Sequence, residues 1–234
     1  MDFSDILGVD RALTLLLNGG GRNIFVDNIV LVFTSGYTWI PLYISLLFIV
    51  LRNNEKWKQI LLIIFSVSLC YAISCGLNLG YIKPLLARPR PFFDTAIASQ
   101  LHIVNNYKPE GFSFFSAHSC NSFLLATFFA FLVRSKLLNI CLFSWAVLTA
   151  YSRIYLGVHY VSDVVVGTII GMMIGAIIYI IYNYIYKKYN QNIVYISTQY
   201  TSTGYNMSDI DIVITVYVIL CLYCIFYGLM SIKI

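Results

Sequence analysis

Lys83-Pro84-Leu85-Leu86-Ala87-Arg88-Pro89-Arg90-Pro91, followed by Phe115-Ser116-Ala117-His118 and then by Ser152-Arg153, His159 and Asp163, forms the polar island of an otherwise apolar chain. Charges beside membrane-length apolar runs are costly and persist where a function requires them. The stretch from Lys83 to Asp163 is therefore where chemistry is expected, and the apolar runs around it decide the fold.

Those runs cover 29–51, 58–81, 117–133, 137–155, 160–186 and 210–231. About 20 apolar residues cross a bilayer as a helix. The expected fold class is all-α, a polytopic transmembrane bundle of about six helices. Composition agrees. Of 234 residues, 59% are hydrophobic and 11% are charged, whereas a soluble domain carries about 25% charged residues. The whole chain, 1–234, is expected to be a single integral membrane domain, with 210–231 as an additional C-terminal helix.

Residues 1–21 carry Phe3, Ile6, Leu7, Leu13, Leu16 and Leu17 at helical spacing before Asn18-Gly19-Gly20-Gly21. This predicts an amphipathic helix, either lying in the membrane interface or packed on the bundle. Asp2, Asp5 and Asp10 stand where a signal peptide would be positive, so none is expected. Net charge is +5, but the basic residues are dispersed, which argues against nucleic acid as a partner. Cys70, Cys75, Cys120, Cys141, Cys221 and Cys224 lie in or beside apolar runs. They read as packing residues, including the Cys221-x-x-Cys224 pair.

If every run spans, Arg52, Lys56, Lys58, Arg134, Lys136, Lys187 and Lys188 fall on one side. Lys83, Arg88, Arg90 and Arg153 fall on the other, with the suspected site. Setting those four aside, the positive-inside rule makes the first side cytoplasmic and turns the site outward. Helix alternation thus carries three separate motifs to one membrane face. Gly167, Gly171 and Gly175 in the fifth run predict close approach of a neighbouring helix.

The gathered residue types suit a phosphate. Lys83, Arg90 and Arg153 can neutralise its oxygens, and the arginine fork matches oxyanion geometry. Ser116 can cap the third helix, and the free amides there, including that of Ala117, point at an anion. His159 and Asp163 are four apart and share a helical face. An Asp on one ring nitrogen leaves the other as nucleophile or base. His118 remains as a second proton-transfer group.

Lys83-x6-Arg90-Pro91, Ser116-x-His118 and Ser152-Arg153-x5-His159-x3-Asp163 resemble, in order, the three signature motifs of the type 2 phosphatidic acid phosphatase (PAP2) superfamily, which also contains the vanadium haloperoxidases. The resemblance covers residues 30–186 and implies a five-helix catalytic core within 29–186. It implies that His159 attacks phosphorus and forms a phosphohistidine, that Asp163 orients His159, and that His118 protonates the departing oxygen. Lys83, Arg90, Ser116, the Ala117 amide and Arg153 would hold the phosphoryl oxygens. For a phosphatase of this family the resemblance implies no metal or other cofactor, because cations take the part magnesium plays elsewhere. The second motif usually reads Pro-Ser-Gly-His, and here Phe115 and Ala117 replace Pro and Gly.

The resemblance implies a phosphatase of a phosphorylated lipid at the outer face of a bacterial inner membrane. Lipid A phosphate, undecaprenyl diphosphate and phosphatidylglycerol phosphate are the candidates. The Phe-Ser-Ala-His form, the 92–115 loop and the run from Ser152 to Tyr160 look most like the lipid A phosphatase-like branch. The alternatives are an anion-binding or transport protein without turnover, a lipid phosphotransferase, and a haloperoxidase-like vanadate binder. Arg88 is either a headgroup contact or solvated. His102, Lys108 and Glu110 read as solvated loop residues, and Asp209 and Asp211 as caps of the last helix. Oligomeric state stays open.

Overall fold

The computed structural model describes residues 3–19, 23–189 and 198–231, and every regular element among them is helical. Gly20 and Gly21, expected to stop the first helix, and residues 190–197 of the polar loop lie outside the described residues. The elements are α1 (Phe3–Asn18), α2 (Ile24–Thr34), α3 (Ile40–Arg52), α4 (Trp57–Cys75), α5 (Lys83–Leu86), α6 (Ala117–Val133), α7 (Lys136–Tyr155), α8 (Val161–Tyr189) and α9 (Met207–Met230). A π-helical segment, Gly76–Ile82, joins α4 to α5.

The stretch Trp57–Phe93 and helices α7, α8 and α9 are long and apolar enough to cross a membrane. The crossing expected over 29–51 is instead a pair, α2 and α3, bent by 64°. Two side chains explain the break. Thr38 Oγ1 donates to the Val32 carbonyl at 2.7 Å, and Trp39 Nε1 donates to the Phe33 carbonyl at 2.7 Å. They take acceptors that a continuing helix would use. Helix α6 has 17 residues, about 25 Å of rise.

Local caps set several of the starts. Ser116, Ser135 and Asn206 accept from the amides of Ser119, Leu138 and Ser208 at the heads of α6, α7 and α9. The last of these corrects an expectation. Asn206 caps α9, while Asp209 accepts from Asn53 Nδ2 at 3.0 Å and Asp211 is exposed. Asn206 also donates its backbone N–H to Asn53 Oδ1, and Thr203 Oγ1 donates to the Val133 carbonyl. The α3–α4, α6–α7 and α8–α9 connections therefore meet at one end of the bundle.

The core runs through α2, α3, α4 and α6 to α9. Its tightest seam joins α6 to α8. A Cβ added at Gly167, Gly171 or Gly175 would lie 2.6, 2.3 or 2.5 Å from the carbonyl oxygens of Ser116, Cys120 and Leu124. The glycine stripe thus brings two backbones into contact and fixes the head of α6 against that of α8.

Helix α1 packs on the bundle, but not by its apolar face. Asp10, Thr14 and Asn18 are 8%, 0% and 2% exposed, whereas Ile6, Val9, Leu13, Leu16 and Leu17 face outward. Its polar stripe binds protein, and its apolar flank is exposed.

Candidate active site

Helix α7 ends at Tyr155, and Gly157 turns the chain with φ +69°. A Cβ there would lie 3.2 Å from the His102 carbonyl, so the turn calls for glycine. The turn delivers His159, 2% exposed, to the head of α8. Asp163 lies one turn on. Its Oδ2 accepts from the Tyr160 amide at 3.0 Å and faces His159 Nδ1 at 3.3 Å. It thus caps its own helix and orients the imidazole. The Ser113 hydroxyl also donates to Oδ2. Arg88 Nη1 holds Oδ1 at 2.7 Å.

Burial pushes the His159 pKa down to about 4; the Asp163 hydrogen bond opposes this, and the charges of Arg153 and Arg90 add to it. His159 is therefore neutral at physiological pH, with a lone pair to use.

Arg90 is buried, and backbone carbonyls hold it: Gly111 and Glu110 at 3.0 and 2.9 Å, and Val158 at 3.1 Å. The side chains of Lys108 and Glu110 are exposed, as expected, while the backbone of their loop curls over the site and grips Arg90. Arg90 Nη1 stands 3.5 Å from His159 Nε2. Arg153 is buried, and its Nη1 donates to Thr34 Oγ1 at 2.8 Å while its Nε has no partner. Lys83 is half-buried, with Arg90, Asp163 and Arg153 as electrostatic neighbours. Among the described residues, none of these three cations has a carboxylate ion-pair partner. Arg88 and Arg11 do.

Ser116 is buried, and its backbone N–H donates to the Asp163 carbonyl at 3.0 Å. Its Oγ accepts the α6 capping bonds, which leaves its proton to donate. Ala117 begins α6, where amides lack helical partners. His118 is exposed beside it, with Lys83, Arg90, Arg153 and His159 as electrostatic neighbours. The structure thus brings together His159, His118, Asp163, Lys83, Arg90, Ser116, Ala117 and Arg153. Arg88 is engaged by Asp10 and Asp163, and its guanidinium lies 3.8 Å over the Tyr160 ring.

Three further residues belong to the site's frame. Ser113 binds Asp163. Asn78 donates to the Phe115 carbonyl at 2.7 Å and steadies the second motif. Asp10 reaches in from α1. No spacing in the sequence marks them. His102 is not a solvated histidine, because both Asp27 oxygens lie 3.1 Å from its Nε2 and Tyr155 joins the same carboxylate.

The family model described as PAP2 superfamily matches residues 57–187. A lipid A 4'-phosphatase of Bacteroides thetaiotaomicron is 37% identical over 163 residues, which is 69% of this chain and 72% of that protein. A lipid A 4'-phosphatase of Porphyromonas gingivalis is 31% identical over 179 residues, 76% of this chain and 75% of that protein. Among solved structures, Aquifex aeolicus LpxE matches with a TM-score of 0.55 and 28% identity over 71% of this chain and 92% of its own. A transmembrane PAP2 type phosphatidylglycerolphosphate phosphatase from Bacillus subtilis shares the fold, with a TM-score of 0.60 and 23% identity over 80% of this chain and 89% of its own. Matched over more than half its length, and with the three motifs gathered at one end of the bundle, this chain belongs to the PAP2 superfamily, as a membrane lipid phosphatase.

Proposed function

We propose that this chain, as a single integral membrane domain, removes a phosphate from lipid A through a phosphohistidine on His159, without a metal, at the outer face of the bacterial inner membrane. One observation carries the reading. Lys83, Arg90 and Arg153 surround His159 and, among the described residues, have no carboxylate ion-pair partner, and cations withdrawn from water need a counter-charge. A phosphate supplies it, and the same cations stabilise its equatorial oxygens in the transition state.

His159 Nε2 attacks phosphorus as the bond from phosphorus to the lipid oxygen breaks. His118 gives that oxygen its proton. Water then attacks the phosphohistidine and passes a proton back to His118. Inorganic phosphate leaves, and both histidines are restored. Ser116 and the Ala117 amide donate to phosphoryl oxygens throughout.

Both relatives above 30% identity are named for the 4'-phosphate of lipid A, which makes that group the first substrate to test. The outward orientation is supported by Arg52, Lys56, Lys58, Arg134, Lys136, Lys187 and Lys188, which lie at or beside the α3–α4 and α6–α7 connections and the end of α8, away from the site.

The test is phosphate release by purified protein in detergent with EDTA, from lipid A, undecaprenyl diphosphate and phosphatidylglycerol phosphate. Release from lipid A that survives EDTA and disappears in His159→Ala supports the proposal. An acid-labile, alkali-stable phosphoprotein trapped on wild type but not His159→Ala would identify the intermediate. Vanadate binding without any phosphate release would move the assignment to an anion-binding protein. Labelling single cysteines in the 92–115 loop of intact cells checks orientation.

A further inference from the structure

The buried polar stripe of α1 reaches the catalytic turn, the head of α8, the loop that covers them and Arg88. Asn18 Nδ2 donates to the carbonyls of Ile154, Tyr155 and His102. Thr14 Oγ1 accepts from the Val161 amide at 3.2 Å, and Asp10 Oδ1 accepts from the Ser162 amide at 2.9 Å. Those are the first two amides of α8, and Asp163 takes the one before them. Helix α1 therefore caps the catalytic helix from outside it.

Asp10 does more than cap. Its Oδ2 binds Arg88 Nη2 at 2.6 Å, while Nη1 of the same guanidinium binds Asp163 Oδ1 at 2.7 Å. Ser162 Oγ joins Asp10 and Arg88 from the side. Asp10, Arg88, Asp163 and His159 thus form one line of alternating contacts. Arg88 is shared between two carboxylates, so Asp10 decides how much of its positive charge acts on Asp163.

We infer that Asp10 is a positioning residue of the reaction: acting through Arg88, it sets how strongly Asp163 supports the His159 imidazole, which makes α1 part of the catalytic apparatus. This rests on the reading of His159 as nucleophile. The other groups facing His159 and Asp163 are Lys83, Arg90 and Ser113 from the segment after α4, His118 from α6, Arg153 from α7, and Tyr160 beside them. Asp10 is the carboxylate on the far side of Arg88.

The inference has a sign. Asp10→Asn keeps an acceptor for the Ser162 amide but removes a negative charge. Arg88 then acts wholly on Asp163, and the imidazolium that develops during attack is supported less. Arg88→Gln removes a positive charge from the same line and acts oppositely on imidazole basicity. A purely structural role would move both variants in one direction.

The experiment uses the full chain in detergent with lipid A as substrate. In Asp10→Asn the melting temperature stays at the wild-type value, KM is unchanged, and kcat falls about tenfold, the equivalent of one pK unit of lost imidazolium support. The acid limb of kcat/KM moves to lower pH in Asp10→Asn and to higher pH in Arg88→Gln. Asp10→Glu recovers most of the lost rate. The double variant is no slower than Arg88→Gln alone. Wild-type kcat in Asp10→Asn, or limbs that shift together, overturns the inference. If the wild type releases no phosphate, the reading of the site falls separately. The inference is then decided by NMR titration of His159, whose midpoint must still shift down in Asp10→Asn and up in Arg88→Gln.

Discussion

Arg90 Nη1 lies 3.5 Å from His159 Nε2, and a guanidinium has hydrogens to give but no lone pair with which to accept. Nε2 must therefore be the unprotonated ring nitrogen. Its partner Nδ1 carries the proton and points it at Asp163 Oδ2, 3.3 Å away. The tautomer a nucleophile needs is thus set from both sides before any phosphate arrives. Arg90 in turn has its place fixed by three carbonyls, which a lysine cannot satisfy as a fork. Arg90→Lys is expected to lose about 100-fold in kcat, on the scale of removing one preorganised donor to the developing charge. Phosphate-release kinetics with melting curves measure this. A fully active, stable Arg90→Lys protein would remove Arg90 from the mechanism.

The depressed pKa of His159 has consequences for both rate and stability. Its imidazole is neutral above about 4, so phosphate release is expected to lose no nucleophile between neutral pH and pH 5. For stability, the folded value lies below the unfolded value of about 6.5, so the unfolded chain binds more protons between them. That contribution is complete above the unfolded value and is lost as pH falls toward the folded one. Thermal melts between pH 4 and 7 should show this slope in the wild type and a shallower one in His159→Gln.

Gly171 is the tightest point of the α6–α8 seam, with the Cys120 carbonyl where its Cβ would stand. Gly171→Ala must push the helices apart and shift Ser116 and His118 relative to His159. A loss of about 1–3 kcal/mol is expected from such overpacking, with activity reduced more than stability. Gly8→Ala in α1 is the control, since nothing lies within 4 Å of its added Cβ. It should be neutral or stabilising, because alanine is the better helix former. Equal melting temperatures for the two variants would contradict the seam's role.

Ser113 lies in a loop with no motif, yet its hydroxyl is one of the donors to the Asp163 carboxylate. Ser113→Ala leaves Asp163 short of a donor in a buried site, a change of about 1–3 kcal/mol for a hydrogen bond to a charged group. The expected readout is a fall in kcat of about tenfold with KM retained. An unchanged kcat would make the hydroxyl a bystander.

Much of this protein is legible along the chain because helical geometry is short-ranged. His159 and Asp163 meet because they are four apart, and the stripe Gly167, Gly171 and Gly175 makes a contact face because its members recur every four residues. The apolar runs place the motifs at one end by alternation alone. Where side chains compete with the backbone, the pattern misleads. The run 29–51 is unbroken in hydropathy, but Thr38 and Trp39 capture carbonyls and bend it.

Other features depend on which elements the bundle presses together. Arg88 and Arg90 are two residues apart and alike in type. One binds a carboxylate brought by α1 and another brought by α8, while the other is held by carbonyls and faces His159. Ser113, Asn78 and Asp10 carry no motif, because their partners are distant in sequence. The apolar residues of α1 predicted an amphipathic helix, but its buried side is the polar one. Hydropathy reports how much a face prefers to leave water; it does not say whether lipid or protein will cover it. The residue types and their local spacing determined the chemistry, and the packing of α1 and the 92–115 loop over the head of α8 decided which charges act on it.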